Sequence, residues 1–500
     1  MKHSKLSKKN VIKSLQSCCA VVAAGFFISA VYPDAVLAGN DNPKIDYGLT
    51  AGFSSMSINN THFGLGQLGV NTFPPSYGAT DIARSEGYFA PSANLLWKTS
   101  DSGTIYGGLR AVGSITRGDG DSWGLTNGEH YSLGSNPPYV IGENMSYLNL
   151  DKAFLGWKSG NNISFLDQDG LDISVGKQNF QLGDGMVLTD GNDEASPHKG
   201  IYWLDPRTAW NNSAIVRLKS LPYQLELFYL QSNTYIKDEN PIEDIYKDNI
   251  VGGNFELVDK KLGKVGVSYF KVASSNNHER DGLSVTGIHG RGNPVSTLQH
   301  LELAGEVDFQ KNNNSYINRD AVAWFAEAKY FMPSLPWYPT LGYRYSSFSG
   351  DKYGTSKNEG WDWMYNGSTE RGFGYWYQGI VVGTYETRLT NLDTHFVNLT
   401  LIPPVKGSWM KIFYYNYQFN DPSTAHVYTN MPVSSNKFAS EWDFILGYSP
   451  TQKVDYMLIY GNAKPDQGGI DRVSGSLGTF PIGTNNKTAT MLQFTMLYHL

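Results

Sequence analysis

The sequence is poor in cysteine: only Cys18 and Cys19 occur. Both lie in a segment that reads as a secretory leader. Lys2, Lys5, Lys8, Lys9 and Lys13 precede an apolar run from Cys18 to Tyr32, and Val36-Leu37-Ala38 supplies small residues for cleavage. No small-residue pair follows a leucine just before the cysteines, so they do not form a lipoprotein signal. Residues 1–38 are assigned to the signal peptide and 39–500 to one mature domain. That domain has no cysteine, which excludes a disulfide framework and thiolate chemistry.

Other absences are equally informative. No run of 18 apolar residues follows the leader, which rules out a transmembrane helix. A membrane is not ruled out, because barrel strands need only about 9–11 alternating residues and leave little trace in hydropathy. Positive charge is not in excess: 40 Lys and Arg stand against 46 Asp and Glu, for a net charge of −6, so no nucleic-acid footprint is present. No His-Glu-x-x-His pair occurs, the one Gly-x-Ser-x-Gly string (Gly120 to Gly124) lies in a polar loop, and the ten histidines are scattered. No enzyme is expected.

What is present is alternation. In the last residues Leu492, Phe494, Met496, Tyr498 and Leu500 occupy every second position, interleaved with Gln493, Thr495, Leu497 and His499. A strand sends alternate side chains to opposite faces, so one face here is wholly apolar. Such a strand closes an outer-membrane barrel; the alternative is the edge of a soluble β-sandwich. At the start of the domain Ile45, Tyr47, Leu49, Ala51 and Phe53 face one way, and Asp46, Gly48, Thr50 and Gly52 the other. Apolar stripes recur at Val265, Val267 and Tyr269; at Leu301, Leu303, Val307 and Phe309; and at Trp442, Phe444, Leu446 and Tyr448. Several stripes end on Tyr or Trp, as aromatic girdles at membrane interfaces require.

Connections alternate in length as well. Long loops rich in Gly, Asn, Asp and Trp alternate with short turns at 159–162, 221–223, 259–263, 403–407 and 449–452. This is the pattern of long extracellular loops and short periplasmic turns. A first count gives 17 strands, but an even number is expected when both ends lie on the periplasmic side. Reading Pro333 to Pro339 as a periplasmic turn makes Lys311 to Ser315 an outer hairpin. An additional strand is then required at Leu283 to Gly290, with Asn293-Pro294 as the next inner turn. The fold class is therefore all-β, a transmembrane antiparallel β-barrel of 18 strands, with 16 as the alternative.

The inward rows are polar. Pore-lining candidates are the bases Arg110, Lys152, Lys177, Arg217 and Arg344 and the acids Glu302, Glu306, Asp308, Glu327, Glu441, Asp443 and Asp455, with Lys219 and Glu226 beside them. An 18-stranded lumen is too wide for side chains alone to fill, and charges in a wet pore set solute preference. A water-filled channel is expected; the alternative is that these residues cross-link and stiffen the wall. Gly183-Asp-Gly185, Asp190 to Glu194 and Asp119-Gly-Asp121 offer oxygen ligands that suit Ca²⁺, although none has EF-hand spacing and turns use the same residues. No other cofactor is expected. Trp361, Trp363, Tyr375, Trp376 and Tyr377 lie in the loop from Gly350 to Arg388. They are placed either to stack on sugar rings or to pack the loop on itself.

One stretch carries a family resemblance. Asp172-Ile-Ser-Val-Gly-Lys-Gln178 followed by Leu182-Gly-Asp-Gly-Met186 resembles the "strand, Gly-Arg-Gln, Gly-Asp-Gly" passage of the alginate export family of outer-membrane porins, with Lys177 in place of Arg. Glu302 in Leu301-Glu-Leu-Ala-Gly-Glu306 matches a further strand. Phe331 to Pro339, Leu341-Gly-Tyr-Arg-Tyr345 and Ser349-Gly-Asp351 resemble its "Pro-Trp-x-Pro, strand, Ser-Gly-Asp" passage. The order of these short motifs spans roughly residues 145 to 500. The resemblance implies a monomeric 18-stranded barrel in outer-membrane lipid, with loops narrowing the pore. It also implies passage of small hydrophilic or carbohydrate solutes, extending to an anionic sugar polymer. The family's exporter pulls its polyanion with a basic constriction, whereas here the inferred lumen mixes both signs. A loop-plugged structural or adhesive barrel is the alternative.

Overall fold

A computed structural model describes residues 42–66, 79–99, 103–119, 121–122, 140–141, 144–191, 203–204, 206–232, 247–295, 297–367, 376, 378–425, 432–477, 480–483 and 485–500. Residues 1–38, read above as a signal peptide, Gly120, Asn192 to Glu194, Tyr375 and Tyr377 lie outside the described residues.

Eighteen strands build the barrel, labelled here in chain order. They are β1 (Lys44–Asn59), β2 (Asp81–Thr99), β3 (Gly103–Gly118), β4 (Met145–Lys158), β5 (Leu171–Gln178) and β6 (Trp210–Ser220). Next come β7 (Tyr223–Gln231), β8 (Asp248–Asp259), β9 (Gly263–Ser275), β10 (Ser284–Gly292), β11 (Leu301–Asn313) and β12 (Asn318–Phe331). The last are β13 (Thr340–Phe348), β14 (Leu392–Leu401), β15 (Ser408–Gln418), β16 (Lys437–Thr451), β17 (Val454–Pro465) and β18 (Ala489–His499). Each pairs antiparallel with its neighbour in sequence, and β18 pairs with β1 from Thr50↔His499 to Asn59↔Thr490. The sheet is closed within one chain and leaves no edge, which is what lipid demands of a spanning sheet.

The pleat sorts side chains as alternation requires. On β18 Gln493 and Thr495 point inward and are buried, while Leu492 and Phe494 are exposed on the outside beside Leu458 and Tyr460 of β17. Val265, Val267 and Tyr269 of β9 and Trp442, Phe444 and Leu446 of β16 continue the apolar exterior. The surface apolar band is thus a property of the sheet as a whole and faces hydrocarbon. No helix among the described residues is long and apolar enough to cross a membrane.

The rearranged reading of the middle of the chain holds. β11 and β12 meet in a hairpin at 314–317, where the Asn314 carboxamide oxygen accepts from the backbone of Tyr316 and Ile317. β10 is the additional strand, and 332–339 is an inner turn. Loop alternation is less regular than expected: the inner connection 159–170 is longer than the outer ones at 276–283 and 314–317.

The interior differs most from expectation. Two outer connections, loop 3 (179–209) and loop 7 (349–391), turn into the barrel. Phe180, Leu182, Met186 and Leu188 of loop 3 join Trp361, Met364 and Tyr365 of loop 7 against the inward faces of β6 to β13. A second apolar cluster joins Ile380, Val381, Val382 and Tyr385 of loop 7 to inward residues of β1 and β14 to β18. The lumen on the loop side is therefore packed rather than water-filled.

Candidate functional site

The lumen divides into a dry half on the loop side and a charged vestibule on the side of the short turns. Loop 7 is held in the dry half by polar anchors on the wall. The Glu441 carboxylate accepts from Val381 N at 2.7 Å and Val382 N at 2.8 Å, and also from the Tyr417 hydroxyl. Asp443 accepts from Ile380 N at 3.4 Å. Gly379 makes this seat possible: its φ is +107°, and a Cβ there would lie 2.2 Å from the Tyr417 oxygen. Further along, the Glu386 carboxylate meets His62 Nδ1 at 3.1 Å, and its carbonyl accepts from Arg472.

The other end of loop 7 is clasped by a buried charge network. Arg280, from the β9–β10 connection, reaches Asp362 through two bonds of 2.8 and 2.7 Å and Asp248 at 3.3 Å. The Tyr365 hydroxyl donates to Asp248 at 2.6 Å, and Gln310 bonds both the N–H and the C=O of Asp362. Burial opposes ionisation of Asp362, but the Arg280 guanidinium more than offsets it, and the carboxyl is held below its ordinary range. Burial likewise disfavours the charged form of Arg280, and Asp362 and Asp248 reverse this, so its pKa lies above the usual value. Loop 3 and loop 7 are joined by main chain: Tyr365 N donates to Val187 O, and Tyr365 O accepts from Thr189 N and Asp190 N. The Trp376 indole donates to Asp184 O at 2.8 Å.

Below these loops the inward rows carry acids and bases that alternate from strand to strand. Tyr106 donates to Asp172 at 2.5 Å, Asp172 stands opposite Arg217, and Arg217 binds Glu226 at 2.6 Å. On β8 to β10 Glu256 receives Lys264 at 2.9 Å and His289 at 3.0 Å. Arg291 binds Glu302 at 3.1 Å, and Lys329 binds Glu327 at 2.9 Å. Several of these side chains are wet: Arg217 is 42% exposed, Lys264 38%, Arg291 38% and Glu302 35%.

The candidates chosen from the sequence therefore separate. Arg217 and Glu302 face the vestibule. Arg110 is partly exposed and fixes loop 3, donating to Asp151 Oδ2 at 2.6 Å and to Pro206 O at 2.5 Å. Lys152 is its cross-strand neighbour on a bulged stretch of β4. Asp455 sits at the turn-side rim with His499 at 3.2 Å.

Other candidates point inward but do not line water. Glu441 and Asp443 are fully buried under loop 7, and Arg344 lies buried between the rings of Trp376 (4.5 Å) and Phe396 (4.9 Å). Glu306 and Asp308 are buried beneath loop 3; a Cβ on Gly183 would stand 3.1 Å from the Glu306 carboxylate. Glu327, though ion-paired, is also buried. Loops that enter the barrel withdraw these residues from water. Lys177 is a different correction. It pairs with Ala153, on the row of the exterior residues Ile173 and Val175, so alternation takes it off the lumen face. Trp361, Trp363 and Trp376 are buried in the interior cluster and pack loop 7 instead of offering faces to sugars.

Residues the sequence reading missed fall in two groups. Glu256, Lys264 and Arg291 share the inward parity of their strands and were legible by the rule that found Arg217. Arg280, Asp362 and Tyr365 lie in loops and meet only in the fold. Among the described residues no three His, Cys, Asp or Glu side chains come together as metal ligands.

No family model matches the chain, and no curated protein sequence matches it. It is similar to solved structures of OpdK from Pseudomonas aeruginosa at 12% identity, covering 91% of this chain and 98% of that one. The TM-score is 0.48, and it is 0.49 for OpdK with vanillate. OccD3 (OpdP) from the same organism matches at 10% identity over 91% of both chains, with a TM-score of 0.47. The likeness is one of fold, and it does not single out the alginate export family.

Proposed function

We propose that this barrel is an outer-membrane channel that passes small hydrophilic solutes. The observation that carries the reading is the vestibule: an arc of acid–base pairs from β3 to β12, in which Arg217, Lys264, Arg291 and Glu302 are 35–42% exposed, enclosed by a sheet whose exterior is apolar. Charged side chains held at a wet inner wall line a solute path at low cost. The pairs compensate each other within one or two strands, so they set up little long-range field of one sign. This favours neutral, zwitterionic or small charged solutes over a polyanion of the alginate type. The packed loops 3 and 7 favour the same choice, since a polymer needs a continuous wide bore. Each pair still presents a donor and an acceptor within reach of one small polar molecule.

The dry packing of the loop side gives specific support to a second reading, a loop-plugged structural or adhesive barrel. Reconstitution of the full chain into planar bilayers separates the two. Discrete ohmic channels, inhibited by small polar solutes more than by uronate oligomers, are expected for the channel. A bilayer that stays silent at high protein load would replace it with the plugged barrel, and block by uronate oligomers alone would restore the polysaccharide reading.

A further inference from the structure

We propose that the exterior of β9 to β12, at its loop-side margin, is a docking surface for the phosphorylated lipid of the outer leaflet. The register of the sheet places Lys271 opposite Ser284, Ser284 opposite Lys311, and Lys311 opposite Asp320, all on the outward row. The row directly below consists of Tyr269, Thr286, Phe309 and Val322, with Tyr269 and Phe309 exposed as part of the apolar band. The two lysines therefore stand one pleat repeat, about 7 Å, beyond the hydrocarbon-facing aromatics. At that depth an aliphatic stem lies along the band while the ammonium reaches the headgroups.

Charge on this row is net positive, although Asp320 stands opposite Lys311 and is stabilised by it. Its only carboxylate, Asp320, is held by Lys357 of loop 7 at 2.6 Å. Among the described residues neither Lys271 nor Lys311 belongs to an ion pair. Their strands are separated by one intervening strand, so their backbones lie about 10 Å apart, a span that two flexible side chains close around one phosphate. The small Ser284 between them leaves the space open. A phosphate monoester carries close to two negative charges and several acceptors, whereas a zwitterionic headgroup brings a competing ammonium. Acyl chains beneath such a phosphate would lie on Tyr269 and Phe309, which free phosphate cannot use. The inference needs the membrane-spanning barrel, not solute passage.

Native mass spectrometry of the full chain in neutral detergent tests it, with bisphosphorylated lipid A, its dephosphorylated form and inorganic phosphate as probes. The wild type should retain lipid A and discriminate against the other two. Lys271→Gln with Lys311→Gln should lower retention about thirtyfold. Lys406→Gln with Lys453→Gln, on the turn side, should leave it unchanged. Asp320→Asn should raise retention by freeing Lys357. All variants should keep the heat-modifiable gel mobility of a closed barrel. Equal retention by the wild type and the Lys271/Lys311 variant would overturn the proposal. Equal loss in the turn-side control, equal binding of the dephosphorylated lipid, lower retention in Asp320→Asn, or equal uptake of inorganic phosphate would each do the same.

Discussion

Arg344 and Arg217 occupy inward positions on strands of the same barrel, yet their surroundings are opposite. Arg344 is fully buried between Trp376 and Phe396, under loop 7. Arg217 is 42% exposed in the vestibule and faces Asp172 and Glu226. Strand parity fixes the side of the wall to which a residue belongs; the loops decide whether water reaches it. The contrast extends to the acids. Glu441 spends its oxygens on main-chain N–H groups of loop 7, whereas Glu302 shares a wet pair with Arg291. One charged inner surface therefore sits in two settings: it fastens the loops in one half and meets water, along the proposed solute path, in the other.

The sharpest way to break that contrast is to reverse charge in the dry half. Arg344→Glu places a buried carboxylate opposite Glu327 and against two aromatic faces. It should cost at least about 3–5 kcal/mol, seen as a lower temperature for loss of the heat-modifiable gel form. A clean shift in ion selectivity at unchanged stability would show that this residue is wet after all. Next in size is Arg280→Ala, which strands Asp362 and Asp248 in the interior, again at about 3–5 kcal/mol. Its effect should be local: faster hydrogen exchange in loop 7 and larger single-channel currents, with the strands still protected. Uniform loss of protection across the barrel would place the clasp in the global core instead.

Acid should undo the same clasp. The Asp362 carboxyl is held below its ordinary range, so the stability it adds is present above the unfolded carboxylate pKa, near 4. That stability is lost as pH falls through the lower native value. Channel current should stay level from neutral pH to about pH 4 and rise below it. Asp362→Asn should carry the larger current already at neutral pH and show no acid step. A step near pH 6 in the wild type would assign the latch to another group.

The wall was legible in the sequence because a sheet in lipid writes its fold as a period of two. The apolar rows, the strand forced by parity at β10 and the hairpin at Asn314 all follow from alternation and turn chemistry. The packing of the lumen was not legible for a physical reason. Loop 7 is held by residues remote in sequence, such as His62, Arg280, Glu441 and Arg472, and nothing in the local pattern around Asp362 or Gly379 announces those partners. Exposure of Trp361 and Trp376 also cannot be read from composition, since an aromatic-rich loop serves a pore mouth and a buried plug equally well. Lys177 was misplaced against the strand's own period: counting in twos from Ile173 and Val175 puts it on the exterior row.

The mildest perturbation is also the one that tests the wet half directly. Arg217→Glu replaces the cation between Asp172 and Glu226 with a third carboxylate. Because the Arg217–Glu226 pair is partly solvated, its removal should change stability by no more than about 1 kcal/mol. The gel transition should move far less than for Arg344→Glu. Selectivity should respond instead: the vestibule gains local negative charge, and the cation-to-anion permeability ratio should rise on the order of twofold at low salt, with the effect fading as ionic strength increases. Arg291→Glu, beside Glu302, should act in the same direction. If both variants leave the reversal potential in a salt gradient unchanged while the channel still conducts, ions bypass these acid–base pairs, and the path lies along another part of the wall.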